Sequence, residues 1–395
     1  MKILISSDLY WPTINGVSMA ARTLAKGLAD RGHDVLVIAP SQTGKKYKQI
    51  DGNYTIARTA STIFPYYQNF RICLYPNLEV KKIIKDFSPD VVHLMGFLMI
   101  SQAVMKYSQR YGIPIVSTNH AMPENLMDNL KSLAPLSRPI NYVMKEYIVR
   151  FHKKTDYFTM PTQSALDIFK LSTRKLKIPV EAVSNGIDLS RFSVGKPPKE
   201  VIKKFKIPTD KPIVSYVGRV DAEKHISVLI DAFVRVLKDQ DAHMLIVGKG
   251  TETANLQQQA KNLGIYDKVT FTGCVTDQEI ADLHKVGTVF CMTSPVELQS
   301  IAMLEAMASG KPIVSVDAGP LKELCQDGRN GILCQTDNDK EIADAIIRII
   351  SDPALAKSMG NESLKIAATH DLQKTLDRYE QIYTEVIKDR LQNKS

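Results

Sequence analysis

Cysteine is scarce and scattered in this chain. Five residues (Cys73, Cys274, Cys291, Cys325 and Cys334) form no CxxC pair, and their number is odd. That excludes a disulfide framework and a cysteine-held zinc, and points to a reducing compartment. No run of eighteen apolar residues occurs, so no segment reads as a spanning helix. The opening MKILISSDLYWP lacks a small-residue cleavage site and is expected to be a core strand rather than a signal peptide. No GxSxG elbow and no GxxxxGK[ST] phosphate loop are present. Histidine, aspartate and glutamate nowhere cluster with ligand spacing, and no metal is expected. Two D-x-D sequences exist. Asp239–Asp241 precedes a strand and so sits at its wrong end, and Asp337–Asp339 precedes a helix and reads as a capping cluster. No repeat of 20–50 residues is evident.

What is present is an ordinary globular composition in 395 residues, enough for two or three domains. The net charge of +9 leaves room for an anionic membrane, nucleic acid or a phosphorylated substrate, and chooses none. Short apolar runs alternate with helical patterns twice over. Lys2–Ser6 opens the first series, and PIVSYVGR, at residue 212, restarts it. Such alternation predicts an α/β chain of two doubly wound, Rossmann-like domains built on parallel sheets. The crossing is placed at about residues 184–195, giving an N-terminal domain over 1–190 and a C-terminal domain over 191–371. The charged last helix, 372–395, is expected to pack back on the first domain.

Chemistry concentrates in PVELQSIAMLEAMASGKP, residues 295–312. The run TVFCMTS before it reads as a buried strand and IAMLEAMA as a helix. Glu297 is then in a loop at the carboxyl end of a parallel strand, where open α/β sheets bind ligands, and Glu305 is inside the following helix. The backbone N–H groups of Gln299, Ser300 and Ile301 open that helix and offer an anion site. Amides for phosphates with carboxylates for hydroxyls suit a sugar nucleotide; two ordinary helix-associated glutamates are the competing reading. GRVDAEKH puts Gly218, Arg219 and Lys224 in another strand-end loop, where two cations suit a diphosphate. His120 follows the strand 114–117 and suits a hydrogen bond to a substrate hydroxyl; His93, at the end of its own strand, competes for that role. Gly16 lies at the first strand–helix turn, though no GxGxxG is present.

RPINYVMKEYIVRFHKK, residues 138–154, has Ile140, Val143, Met144, Tyr147 and Phe151 at helical spacing. Residues 131–154 carry six Lys or Arg against one acid, Glu146. A basic amphipathic helix of this kind suits an anionic membrane surface, or else packs on its own domain with a solvated basic face. FPYYQNFRICLYP clusters aromatics with Arg71, either lining an acceptor groove or capping the sheet.

Taken together, DLYWPTINGVS, VSNGIDLSRF, GRVDAEKH and the Glu297-x7-Glu305 segment resemble the family 4 retaining glycosyltransferases of the GT-B fold, in family order and over nearly the whole chain. The resemblance implies two domains facing across a cleft, with a nucleoside-diphosphate sugar held by the second. It implies that Glu297 meets the sugar hydroxyls, Glu305 the ribose, and Gly218, Arg219 and Lys224 the pyrophosphate. From the first domain it implies Gly16 at the phosphates and His120 near the transferred sugar. Two positions depart from the family pattern. Asn15 stands where a first glycine is common, and ELQS replaces E-G/S-F-G. TNHAMPENL and YYQNFRICLYP look most like the diacylglycerol hexosyltransferase branch.

The implied activity is metal-independent transfer of a hexose, from UDP-glucose first and GDP-mannose second, to a membrane lipid such as diacylglycerol. No cofactor beyond the donor and no nucleic acid are implied. The implied location is cytoplasmic, peripheral at the inner face of the cell membrane through helix 138–154. A phosphatidylinositol- or polysaccharide-directed transferase, a GT-B-like sugar-nucleotide epimerase and a non-enzymatic sugar-nucleotide sensor are the alternatives.

Overall fold

A computed structural model describes residues 1–13, 15–64, 70–122, 137–171 and 176–392. The tyrosines of FPYYQNF, the PENL of TNHAMPENL and Lys131 lie outside the described residues. The chain forms two compact units, Met1–Asn185 with Gln373–Ser395, and Gly186–Leu372.

In the first unit the strands are β1 (Lys2–Ser6), β2 (Asp34–Pro40), β3 (Tyr47–Asp51), β4 (Tyr54–Thr59), β5 (Thr62–Ile63), β6 (Arg71–Ile72), β7 (Val91–Leu94), β8 (Ile115–Thr118), β9 (Tyr157–Met160) and β10 (Val180–Ala182). Eight of them form one sheet in the order β10-β9-β8-β7-β1-β2-β4-β3. All neighbours are parallel except β3, which pairs antiparallel with β4 at the edge. The middle strands are apolar on both faces because helices cover both; Ile3, Leu4 and Ile5 are fully buried. The helix Leu372–Gln392 is charged overall, yet it buries Leu376, Tyr379, Ile382, Tyr383 and Val386. Tyr383 Oη lies 2.7 Å from His93 Nδ1, and Tyr379 Oη lies 3.2 Å from the hydroxyls of both Thr118 and Thr159. Arg31 reaches Glu380 at 2.8 Å and Arg378 reaches Glu181 at 2.6 Å, so the charges on this helix are used at its margins.

In the second unit β11 (Ile213–Val217), β12 (His243–Val247), β13 (Val269–Phe271), β14 (Val289–Met292), β15 (Ile313–Val316) and β16 (Gly331–Cys334) form a parallel sheet in the order β13-β12-β11-β14-β15-β16. The chain builds outward from β11 in one direction, then crosses to β14 and builds in the other. The order therefore reverses between β11 and β14. The helix Ile226–Asp239 buries Ile226, Leu229, Ile230, Phe233 and Val236, the spacing of one helical face. A Thr276–Glu279 capping box starts the helix Asp277–Val286. Asp241 pairs with Lys211 at 2.7 Å at the amino end of β12. Asp339 begins a helix capped by Asn338 and pairs with Arg235 at 2.5 Å. Among the described residues no three potential ligands converge.

Candidate active site

In an open parallel sheet, ligands bind beyond the carboxyl ends of the strands where the order reverses. In the second unit the loops at that point are residues 218–225, after β11, and 293–300, after β14. The first begins with Gly218 at φ +151; a side chain there would bring its Cβ within 2.9 Å of Tyr216 Oη, which is fixed in place by donating to the Arg219 carbonyl at 2.7 Å. The loop after β12 presses against it. A Cβ on Gly248 would stand 1.9 Å from the Gly218 carbonyl, so GKG at 248–250 is a packing requirement. Thr293 Oγ1 donates to the Lys224 carbonyl at 2.8 Å, and Ser294 Oγ to that of Glu223 at 3.2 Å. The two strand-end loops are thereby tied together.

Lys224 Nζ and Glu297 Oε1 meet at 2.6 Å, with side chains only 12% and 16% exposed. Arg219 is not at that contact. Its guanidinium bonds Asp221 and Glu223, whose side chains are almost fully buried. Both expected cations thus already hold acids, and five charged groups line this corner. Asp221 also accepts from the Thr251 backbone N–H and hydroxyl, at 2.8 and 3.0 Å. Lys224 ends a short 3₁₀ turn, and His225 follows it at φ +49, a left-handed backbone without glycine. His225 Nδ1 lies 2.6 Å from Asp337 Oδ1, and Asp337 is itself at φ +62.

The helix after β14 runs Ile301–Ala308, and Ser300 is its cap, its Oγ accepting from the Met303 N–H at 3.2 Å. The sequence put Gln299, Ser300 and Ile301 together as opening amides. The helix itself starts at Ile301, while Gln299 and Ser300 lie in the buried turn before it. Glu305, two-thirds along the helix, lies 3.2 Å from His284 Nε2.

In the first unit the order reverses between β1 and β7, and Gly16 follows β1. Asn15 is extended, at φ −157, and its side chain accepts from the Ser18 N–H at 2.9 Å. Asparagine therefore replaces a glycine without strain and caps the helix Gly16–Asp30. Among the described residues, a Cβ at Gly16 would meet nothing within 4 Å. From the same loop Asp8 accepts from the N–H groups of Leu98 and Ile100 at 3.0 and 2.9 Å and from Ser101 Oγ at 2.8 Å. It thus caps the helix Met99–Tyr111, and burial pushes its carboxyl above the usual range despite those bonds. His120 follows β8. Burial lowers its imidazole pKa to about 4, and its Nε2 has no partner among the described residues. His93 is a core residue: Tyr383 and Thr118 satisfy both ring nitrogens at 2.7 Å, and burial first, then its histidine neighbours, lower it to about 3. It does not compete with His120.

The basic helix runs Ser137–His152 rather than 138–154. Its expected stripe divides. Val143 and Tyr147 are 64% and 45% exposed and Ile140 and Met144 are half-buried, whereas Phe151 is buried with Ile148 and Val149 because the last turn packs into the core; Tyr142, outside the stripe, is 67% exposed. Reading the sequence missed His284, which holds Glu305 and which no local spacing announces; it also passed over Asp221 and Glu223, although they stand two and four residues after the Arg219 they hold.

Comparison with known proteins identifies the family. Residues 14–191 match Glycosyltransferase Family 4, and residues 198–365 match Glycosyl transferases group 1. An alpha-monoglucosyldiacylglycerol synthase of Streptococcus pneumoniae is 28% identical, covering 92% of this chain and 82% of that one. An N-acetyl-alpha-D-glucosaminyl L-malate synthase of Bacillus anthracis is 26% identical over 98% of each. Among solved structures, a sucrose-phosphate synthase of Thermosynechococcus elongatus superposes with a TM-score of 0.80 at 19% identity, over 98% of this chain and 99% of that one. The Anabaena protein HepE, in complex with UDP and glucose, superposes with a TM-score of 0.74 at 19% identity, over 98% and 100%. With both units matched, one by each family, this chain belongs to the family 4 glycosyltransferases, enzymes of the GT-B fold.

Proposed function

We propose that this glycosyltransferase moves a hexose from UDP-glucose to the hydroxyl of a membrane lipid such as diacylglycerol, with retention and without a metal. The observation that carries the donor site is the Lys224–Glu297 pair at the reversal point of the second sheet. Donor binding exchanges partners there. Lys224 passes from Glu297 to the diphosphate, and Glu297 turns to the sugar hydroxyls. Arg219, braced by Asp221 and Glu223, adds the second cation, the Gly218 turn lets the phosphates approach the backbone, and the helix start at Ile301 with the two residues before it supplies backbone N–H groups. Glu305 takes the ribose hydroxyls. From the first unit, Gly16 gives close backbone approach to the phosphates, and neutral His120 bonds the transferred sugar. The acceptor oxygen attacks the anomeric carbon on the face from which the diphosphate leaves. The bond from that carbon to the phosphate oxygen breaks, and the acceptor proton passes to the departing oxygen. The cations favour this step because the charge they meet grows in the transition state.

The lipid acceptor is supported by the Streptococcus pneumoniae and Acholeplasma laidlawii synthases among the relatives, and by the helix Ser137–His152. That helix displays Tyr142, Val143 and Tyr147 beside exposed Arg138 and Arg150. No helix among the described residues is long and apolar enough to cross a membrane, and the proposed attachment is peripheral, at the cytoplasmic face. A second reading has its own support: GDP-mannose-dependent mannosyltransferases and the malate-directed synthase are relatives too. The test offers radiolabelled UDP-glucose and GDP-mannose, in EDTA, with diacylglycerol in phosphatidylglycerol vesicles or with soluble hydroxy acids. Label in lipid from UDP-glucose is expected. Label only in soluble product, or a requirement for added Mg²⁺, would overturn the proposal.

A further inference from the structure

We propose that His284 is a positioning residue, which fixes the Glu305 carboxylate for the two ribose hydroxyls and so sets the discrimination between ribo- and deoxyribonucleotides. This rests on the reading that Glu305 holds the ribose. His284 stands on the helix Asp277–Val286 and is 1% exposed. Its ring is edge-on to Phe192, with centroids 5.8 Å apart, and 5.9 Å from the ring of Phe290. Its Nδ1 is buried without a partner among the described residues, and its Nε2 contacts Glu305 Oε2 at 3.2 Å. A carboxylate only accepts, so Nε2 donates.

This is a costly way to fill a core. A buried nitrogen left without a partner is destabilising, and an aromatic hydrocarbon would fill the same space between two phenylalanines without that cost. The one thing the imidazole supplies that a phenyl ring cannot is a donor to Glu305. Glu305 needs one, because its side chain has several rotors and its neighbours Leu304, Ala306 and Met307 are apolar and buried. One bond from His284 uses one acceptor site of the carboxylate and leaves acceptors for a vicinal diol. A site built to bond two hydroxyls rejects the ligand that lacks them, provided the acceptors are held in place.

The test is calorimetry on the full chain with UDP or GDP, whichever the wild type binds more tightly, and with its 2′,3′-dideoxy counterpart. Glu305→Ala is expected to remove the preference for the ribonucleotide. His284→Phe is expected to weaken the ribonucleotide about tenfold and leave the dideoxynucleotide unchanged, the loss of one charge-assisted hydrogen bond. His284→Gln, whose amide nitrogen reaches the Nε2 position, restores binding to within about threefold; His284→Asn, too short, does not. The Gln and Asn pair carries the same contrast if the Phe variant does not fold. A merely structural histidine would change the melting temperature and weaken both nucleotides alike. If Glu305→Ala keeps the preference, the ribose reading itself is wrong. If Glu305→Ala loses it while the His284 variants keep it, the role given to His284 is wrong.

Discussion

Glu297→Gln is expected to tighten nucleotide binding while nearly abolishing transfer. In the structure Glu297 holds Lys224 at 2.6 Å, and both side chains are more than four-fifths buried. A diphosphate must compete for that ammonium. Two unit charges 4 Å apart attract by about 4 kcal/mol at an effective dielectric of 20, but the desolvation of both groups offsets most of this. A net coupling of about 1 kcal/mol is left for this largely buried pair, at the upper end of the range for exposed pairs. Releasing Lys224 from that coupling raises affinity for UDP about fivefold. Removing a negative charge next to the incoming diphosphate acts in the same direction. Transfer falls about 100-fold or more, because the sugar loses its carboxylate. Calorimetry with UDP, beside single-turnover transfer with the same preparation, reads both effects. Weakened UDP binding in Glu297→Gln would refute the partner exchange.

His225 sits in a left-handed conformation next to Lys224, so His225→Gly should fold well, whereas His225→Val should lower the melting temperature, a cost of roughly 1–3 kcal/mol, and weaken UDP binding; a Val variant as stable as wild type would contradict this. His93 and His152 are fully buried, and burial lowers both to about 3, so the unfolded chain takes up protons below about pH 6.5 that the native state refuses. Stability is therefore lost as pH falls, by about 2 kcal/mol per histidine at pH 5 and roughly 4 kcal/mol for the two. Scanning calorimetry at pH 7.5 and pH 5 should show the drop, and His152→Phe, stacked on Phe158, should remove part of it; an equal melting temperature at both pH values would be contrary. Changing Arg150, Lys153 and Lys154 to Glu should release the protein from phosphatidylglycerol vesicles, since each cation contributes roughly 1 kcal/mol at an anionic surface. Co-sedimentation of the variant as complete as that of wild type would remove the helix from the membrane.

The strands that sequence reading places most readily are those buried on both faces, such as β1, β11 and β12, because a short continuous apolar run between turn residues fits a strand covered by helices on both sides. The edge strand β3 escapes it, since YKQID is half-exposed and polar. The helix Pro353–Thr369 escapes it for a different reason. Gly360 interrupts its pattern, yet that glycine is there so that the helix can approach the Gly310 carbonyl, which a Cβ would meet at 2.3 Å. At the site, the positions of Glu297, Arg219 and Lys224 in strand-end loops and of Glu305 in the helix after β14 are legible from local pattern. The partners of Lys224 and Glu305 are not, although the acids that hold Arg219 stand two and four residues after it. Lys224 and Glu297 are 73 residues apart in the chain, and His284 and Glu305 are 21 apart. Only the return of β14 beside β11 brings the first pair together. His93 shows the same limit in reverse, since the Tyr383 that satisfies it is 290 residues away.

The measurement that bears most directly on the proposed chemistry is transfer of radiolabel from UDP-glucose into chloroform-extractable lipid by wild type and by Lys224→Ala. In the proposed chemistry Lys224 is the cation that the leaving diphosphate recruits, and removal of one such group costs about 100-fold or more in transfer. Wild type should label diacylglycerol in EDTA. The variant should label it at least about 100-fold more slowly while keeping its melting temperature within a few degrees. Lipid labelling by Lys224→Ala at the wild-type rate, or wild-type release of free glucose with none in lipid, would contradict the proposed transfer.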